Sequence, residues 1–274
     1  MQKKENEGVR LDLKYLNNIN GWLSFHDYMV FSKLLGSSSL SIETGDLLEI
    51  GVYEGKSAIL LGSFLKENEE LHVCDIFENS NLDTFNLAEN MSSYPGLAKD
   101  TFTRNFLEAL GFLPTIHAID SKNLASELAE KRFRFIHIDG SHIYEYAAND
   151  LEIAIGHLQI EGGIIAIDDF RAPHTPGVAL AVWERVSSGE IYPVIMTPAK
   201  IYVMAKPSNF RIEVLKQEIE LAGIECLIED FCGHKVLRTV GSADSELYQT
   251  NRYLRFIPPF LVPKIRVVSK LFMK

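Results

Sequence analysis

Between residues 46 and 168 the chain alternates short apolar runs with longer amphipathic stretches, and few folds satisfy that rhythm. The runs are DLLEIG (46–51), LHVCDI (71–76), PTIHAI (114–119), RFIHID (134–139) and GIIAID (163–168). Helix-like segments lie between them near 56–67, 100–111, 122–131 and 144–158. Strands this continuously apolar need cover on both faces, as parallel strands joined by helical crossovers have. The pattern predicts an α/β fold: a doubly wound, mostly parallel, seven-stranded Rossmann-like sheet with helices on both faces. IYPVIM (191–196) and KIYVMA (200–205), separated by TPA, complete the seven as a hairpin.

The remaining segments are additions to that unit. Residues 1–40 read as a helical lead-in, serving as a lid or dimer contact, with apolar positions from Leu13 to Leu34 at helical spacing. Residues 41–206 form the ligand-binding domain and 207–274 a C-terminal extension packed on it, with a helix over 209–222 and further strands at ECLIED and HKVLRTV. A chain of 274 residues fits one such domain.

Net charge is −10, so little of the surface can neutralise phosphates, and a nucleic-acid partner is not expected. Three cysteines without metal-type spacing (Cys74, Cys226, Cys232) point to a reduced, cytoplasmic protein. No apolar run approaches the roughly 20 residues of a membrane span. The tail FIPPFLVPKIRVVSKLFMK mixes apolar and basic residues. Packing on its own domain or on a second copy, in a homo-oligomer, is favoured there over contact with a membrane surface.

Two clusters carry chemistry. At the end of the first strand, Glu49-Ile50-Gly51-Val52-Tyr53-Glu54-Gly55-Lys56-Ser57 turns into a helix. Gly51 permits a tight turn and Gly55 a close approach at the helix start, where open α/β sheets bind ligands. The spacing is neither G-x-G-x-x-G nor a Walker loop. Glu49 suits a positively charged ligand, such as an ammonium beside a sulfonium. Asp75, 24 residues after Gly51 at the end of the second strand, is placed to accept ribose hydroxyls. Asp120 and Ser121, after the third strand, are candidates for an adenine contact or for loop capping.

The second cluster is Asp139-Gly140-Ser141-His142 after the fourth strand with Asp168-Asp169 after the fifth. Three carboxylates at neighbouring strand ends repel one another unless protonated or bridged by a cation. Hard oxygen donors in that number suit Mg²⁺ or another divalent cation, which would orient a hydroxyl and lower its pKa. His142, three residues past Asp139, is a candidate general base. His117 and His137 lie inside strand-like runs and read as core.

These motifs resemble a known family. DLLEIGVYEGKSA looks like the first motif of class I methyltransferases. RFIHIDGSHIYEYAANDLEIAIGHLQIEGGIIAIDDF looks like small metal-dependent O-methyltransferases, especially those acting on macrolide sugars. The resemblance covers about residues 46–206. It implies S-adenosylmethionine as donor, with Glu49, Gly51 and Gly55 lining its methionine part, Asp75 holding its ribose and Ser57 also on the cofactor. It further implies Asp139, Asp168 and Asp169 on the metal, and His142 as base. Catechol-type relatives use a lysine base, and no lysine lies in 139–146, which favours a sugar or other small-molecule acceptor. Two competing readings stand beside it: a nicotinamide-dependent oxidoreductase and a non-catalytic binding protein.

Overall fold

The computed structural model describes residues 13–37, 44–77, 98–207, 210–231 and 233–241. The chain opens with α1 (Leu13–Leu16) and α2 (Phe25–Gly36), whose start is capped by Ser24 accepting from the Asp27 amide. Then follow β1 (Asp46–Ile50), α3 (Lys56–Gly62), β2 (Leu71–Cys74), α4 (Lys99–Leu110) and β3 (Thr115–His117). A 3-10 turn (Ser121–Asn123) leads into α5 (Leu124–Leu128), β4 (Phe133–Ile138), α6 (Tyr144–His157) and β5 (Ile164–Ile167). The chain continues through α7 (Pro176–Ser187), β6 (Tyr192–Met196), β7 (Ile201–Met204) and α8 (Ile212–Leu221). It closes with β8 (Cys226–Phe231) and β9 (His234–Thr239).

The strands form one sheet in the order β3-β2-β1-β4-β5-β7-β6-β9-β8. β3 through β5 are parallel, and β7 runs antiparallel to both β5 and β6. The expected doubly wound α/β sheet and the 192–204 hairpin are present. The expected count of seven strands is corrected to nine among the described residues. ECLIED and HKVLRTV make an antiparallel hairpin, and β9 adds in parallel to β6, so the extension continues the sheet. Two helices are shorter than expected: α3 ends at Gly62, and the 122–131 segment holds only the 3-10 turn and α5. Residues 1–12 and the basic, apolar tail at 256–274 lie outside the described residues.

Side chains alternate between two cores, as the two-residue period of a strand demands. Leu47, Val73, Phe135, Ala166 and Tyr202 face α1 to α4 and α8, whose Phe31, Phe102, Phe106 and Leu215 are buried against them. Leu48, Ile50, Ile136, Ile138, Ile165 and Ile167 face α5, α6 and α7. No helix among the described residues is long and apolar enough to cross a membrane.

Candidate active site

Strand register sorts the polar residues into two rows on the α2 face. Glu49 pairs with His137, His137 with Ala166, and Ala166 with Tyr202. Two residues further on, the same register aligns Gly51, Asp139, Asp168 and Lys200 at the carboxyl edge of the parallel strands. All share one face because each lies two residues beyond a member of the first row.

Glu49 is fully buried. Its Oε1 accepts from the Ser57 hydroxyl and meets His137 Nδ1 at 2.8 Å. Glu49 Oε2 and His137 Nε2 are buried without a hydrogen-bond partner among the described residues. Burial, opposed by the Ser57 hydrogen bond, holds the Glu49 carboxyl well above its ordinary range. Burial, reinforced by the Lys200 charge, holds the His137 imidazole well below its own. The two meet beneath Phe31, whose ring lies edge-on to His137 with centroids 5.1 Å apart.

The β1–α3 loop is braced from three sides. Asp75 Oδ2 accepts the amides of Val52 and Tyr53 at 2.8 and 3.1 Å, and Oδ1 that of Phe77 at 2.9 Å. Burial raises the Asp75 carboxyl, against the pull of those amides. Gly51 has φ +83°, and a Cβ there would stand 2.0 Å from the Asp139 carbonyl oxygen. Only glycine lets this loop lie against the end of β4. Gly55 (φ +98°) starts α3, and its missing side chain makes room for Phe102. Asp120 Oδ1 accepts from the Lys122 amide at 2.9 Å, capping the 3-10 turn. Ser121 hydrogen-bonds Asp150, a buried α6 carboxyl that burial pushes up to about 6.

The two consecutive aspartates after β5 diverge. Asp168 stays in the α2-face row, where its carboxylate contacts the Lys200 ammonium and its Oδ1 accepts the Asp169 amide at 2.8 Å. Asp169 takes a left-handed conformation (φ +55°) and turns away. Its Oδ2 lies 2.7 Å from His142 Nε2, and both side chains remain partly exposed, 29 % and 20 %. Burial works to raise the Asp169 carboxyl; the His142 hydrogen bond and nearby positive charge outweigh it and leave it below its ordinary range. Asp139, Gly140, His142, Asp168, Asp169 and Val178 line a small pocket open to the surface.

Lys200 escaped the sequence reading. Its side chain is 1 % exposed, in the tight turn joining β6 to β7. Lys200 N donates to Thr197 Oγ1 at 2.9 Å, and Thr197 Oγ1 and Tyr202 OH each donate to Asp27 of α2 at 2.7 Å. Nearby carboxylates, Asp168 foremost, raise the Lys200 ammonium above its ordinary range against the opposing effect of burial. Asp139 is raised to about 8, first by burial and then by the Asp168 charge.

The three carboxylates expected to bind a divalent cation line one pocket, and their partners differ. His137, Asp139 and Asp168 each offer a donor atom within 4.8 Å of the others, while Asp169 is turned to His142. The Lys200 ammonium already lies on Asp168. Two unit charges 4 Å apart at an effective dielectric of 20 repel by about 4 kcal/mol, and a divalent ion about doubles that. This donor set does not fit a divalent cation while Lys200 is charged.

Residues 48–170 match the family described as a methyltransferase domain. That stretch holds the braced loop, the β4 and β5 ends and the His142–Asp169 pair. Over that stretch, less than half of the chain, the match is to a methyltransferase domain, which favours methyl transfer over the oxidoreductase and non-catalytic readings. No curated protein matches the chain. Among solved structures, the O-methyltransferase NovP is similar over 73 % of this chain and 82 % of its own, with 19 % identity and a TM-score of 0.53. A protein from Corynebacterium glutamicum is similar over 72 % of this chain and 91 % of its own, with 13 % identity and a TM-score of 0.52. At those identities the two show the shared fold.

Proposed function

We propose that the chain is an O-methyltransferase acting on a hydroxyl of a small molecule or sugar, with His142 as general base and Asp169 as its orienting partner. The contact between His142 Nε2 and Asp169 Oδ2 carries the reading: a histidine held by a carboxylate, on a small open pocket, beside the Gly51 loop. A base fixed by a third group is the arrangement that activates a weak nucleophile.

S-adenosylmethionine supplies an electrophilic methyl group on a sulfonium. The acidic residues of the strand ends suit that cationic donor. In this reading the loop from Glu49 through Gly51 and Gly55 to Ser57 holds the methionine end. Asp75 faces the ribose, and Asp120 with Ser121 the adenine. His142 takes the proton of the acceptor hydroxyl as its oxygen bonds to the methyl carbon and the carbon–sulfur bond breaks. Asp169 stabilises the imidazolium that results. Alignment of oxygen, carbon and sulfur supplies much of the acceleration. A sugar hydroxyl is the favoured acceptor, because residues 139–146 offer a histidine and no lysine. No step passes through the divalent cation of the sequence reading.

The test is calorimetric titration with S-adenosylmethionine, followed by mass analysis of a panel of sugar and phenol acceptors. Stoichiometric binding and a gain of one methyl on a hydroxyl, lost in His142→Gln, are expected. No binding by the wild type would overturn the function, and full turnover by His142→Gln would overturn the role of His142.

A further inference from the structure

The row Asp139–Asp168–Lys200 is built by strand pairing. Antiparallel β5 and β7 are registered Ile165 to Val203, Ala166 to Tyr202 and Ile167 to Ile201, which sets Asp168 opposite Lys200. Parallel β4 and β5 are registered Ile138 to Ile167, which sets Asp139 beside Asp168. Directly opposite residues of one face are in side-chain reach. The lysine is 1 % exposed and its ammonium contacts the Asp168 carboxylate. The hairpin turn that carries it is fastened by Thr197, whose hydroxyl accepts from the Lys200 amide and donates to Asp27 of α2. A turn anchored to α2 thus delivers a positive charge to the same edge of the sheet as the two aspartates.

We propose that Lys200 is the resident counter-cation of the Asp139–Asp168 pair and keeps a divalent metal out, so that this protein folds and binds its donor without one. The proposal shares with the functional reading only the location of the cluster. Its readout is metal binding, so its failure and the failure of methyl transfer to a hydroxyl are separate results.

The same anchor gives Lys200 a positioning role. It holds Asp168, whose Oδ1 receives the Asp169 amide, and Asp169 in turn meets His142. Lys200 reaches the exposed pair through one backbone amide and touches none of the reacting atoms.

The experiment uses full-length protein and Mn²⁺ alone as probe, read by calorimetry and by the thermal midpoint. Wild type is expected to purify without stoichiometric divalent metal, to melt at the same temperature with Mn²⁺ or with chelator, and to bind S-adenosylmethionine equally in both. Lys200→Met removes the charge while keeping an unbranched chain. It should bind Mn²⁺ at least tenfold more tightly than wild type, and Lys200→Met with Asp168→Asn should lose that gain. Mn²⁺ binding by wild type that disappears in Asp168→Asn would overturn the proposal. So would a folded Lys200→Met variant as indifferent to Mn²⁺ as wild type. If Lys200→Met does not fold, the wild-type titrations decide alone.

Discussion

Asp168 and Asp169 are neighbours in the chain and each meets a cationic or titratable partner, yet the two pairs do different work. The Asp168–Lys200 pair is largely covered, with the lysine 1 % and the aspartate 11 % exposed. The Asp169–His142 pair opens on the pocket, with 29 % and 20 % exposure. Strand alternation sends the two carboxylates apart, and the left-handed turn at Asp169 completes the separation. Buried charge with a fixed partner organises structure. A histidine at the rim, held by a carboxylate, can exchange a proton with a ligand. Residue type alone does not distinguish these roles; burial does.

The largest effect should come from breaking the covered pair on one side. Lys200→Met leaves an uncompensated buried carboxylate, and removing one partner of such a pair costs about 3–5 kcal/mol. At roughly 2–4 °C per kcal/mol for a chain of this size, the thermal midpoint should fall by on the order of 10 °C. Adding Asp168→Leu should recover much of the loss, since no charge is then buried alone. A double variant no more stable than the single would mean that the pair does not act as a unit.

Breaking the exposed pair should do the reverse. His142→Gln should lower kcat by about 10²–10⁴-fold, the usual worth of a general base, while stability moves by less than ~1 kcal/mol. Asp169→Asn should lower kcat less than His142→Gln and shift the pH–rate profile, because the base loses its orienting charge. Equal stability losses for His142→Gln and Lys200→Met would erase the contrast.

Asp150 sharpens the comparison, as a buried carboxyl whose hydrogen-bond partners, Ser121 and Asn149, are neutral. Its folded pKa of about 6 lies above the ordinary 3.8. A raised carboxyl contributes stability that is fully present below about pH 4 and is lost as pH rises through about 6. Unfolding free energy should therefore decline across that window, by up to about 3 kcal/mol at 1.36 kcal/mol per pH unit. Asp150→Asn should lack that component of the decline. Parallel curves for the two proteins between pH 4 and 7 would refute it.

The smallest effect belongs to an open ion pair. Lys131 reaches Asp46 at 2.9 Å and Glu70 at 2.7 Å, with Lys131 40 % exposed. Lys131→Ala should cost no more than ~1 kcal/mol in low salt and less at high salt. A loss as large as that of Lys200→Met would show that exposure is not what separates the pairs.

The strands and helices of 46–168 were legible because hydrophobic periodicity is local. So was the crowding of Asp139, His142, Asp168 and Asp169 at two strand ends, which follows from β4 and β5 being parallel neighbours. The β8–β9 hairpin was read as strands, while its addition to β6 was not, because edge pairing leaves no mark in a short apolar run. Lys200 was visible at the head of KIYVMA, yet its partner was not. A hairpin between β6 and β7 says nothing about which strand β7 pairs with on its other side.

The sequence by itself determined a parallel, doubly wound sheet, a glycine turn after β1 and a set of acidic residues with a histidine at the carboxyl edge. Period, turn chemistry and residue type operate over a few residues, so they can be read along the chain. The tertiary structure alone decided which acid meets which partner. Asp168 faces Lys200 through a strand register spanning 32 residues, Glu49 is closed in with His137, and Asp169 is left at the rim for His142. Each of those outcomes depends on the face a side chain takes and on what covers that face, and both are fixed only when strands pair and helices pack.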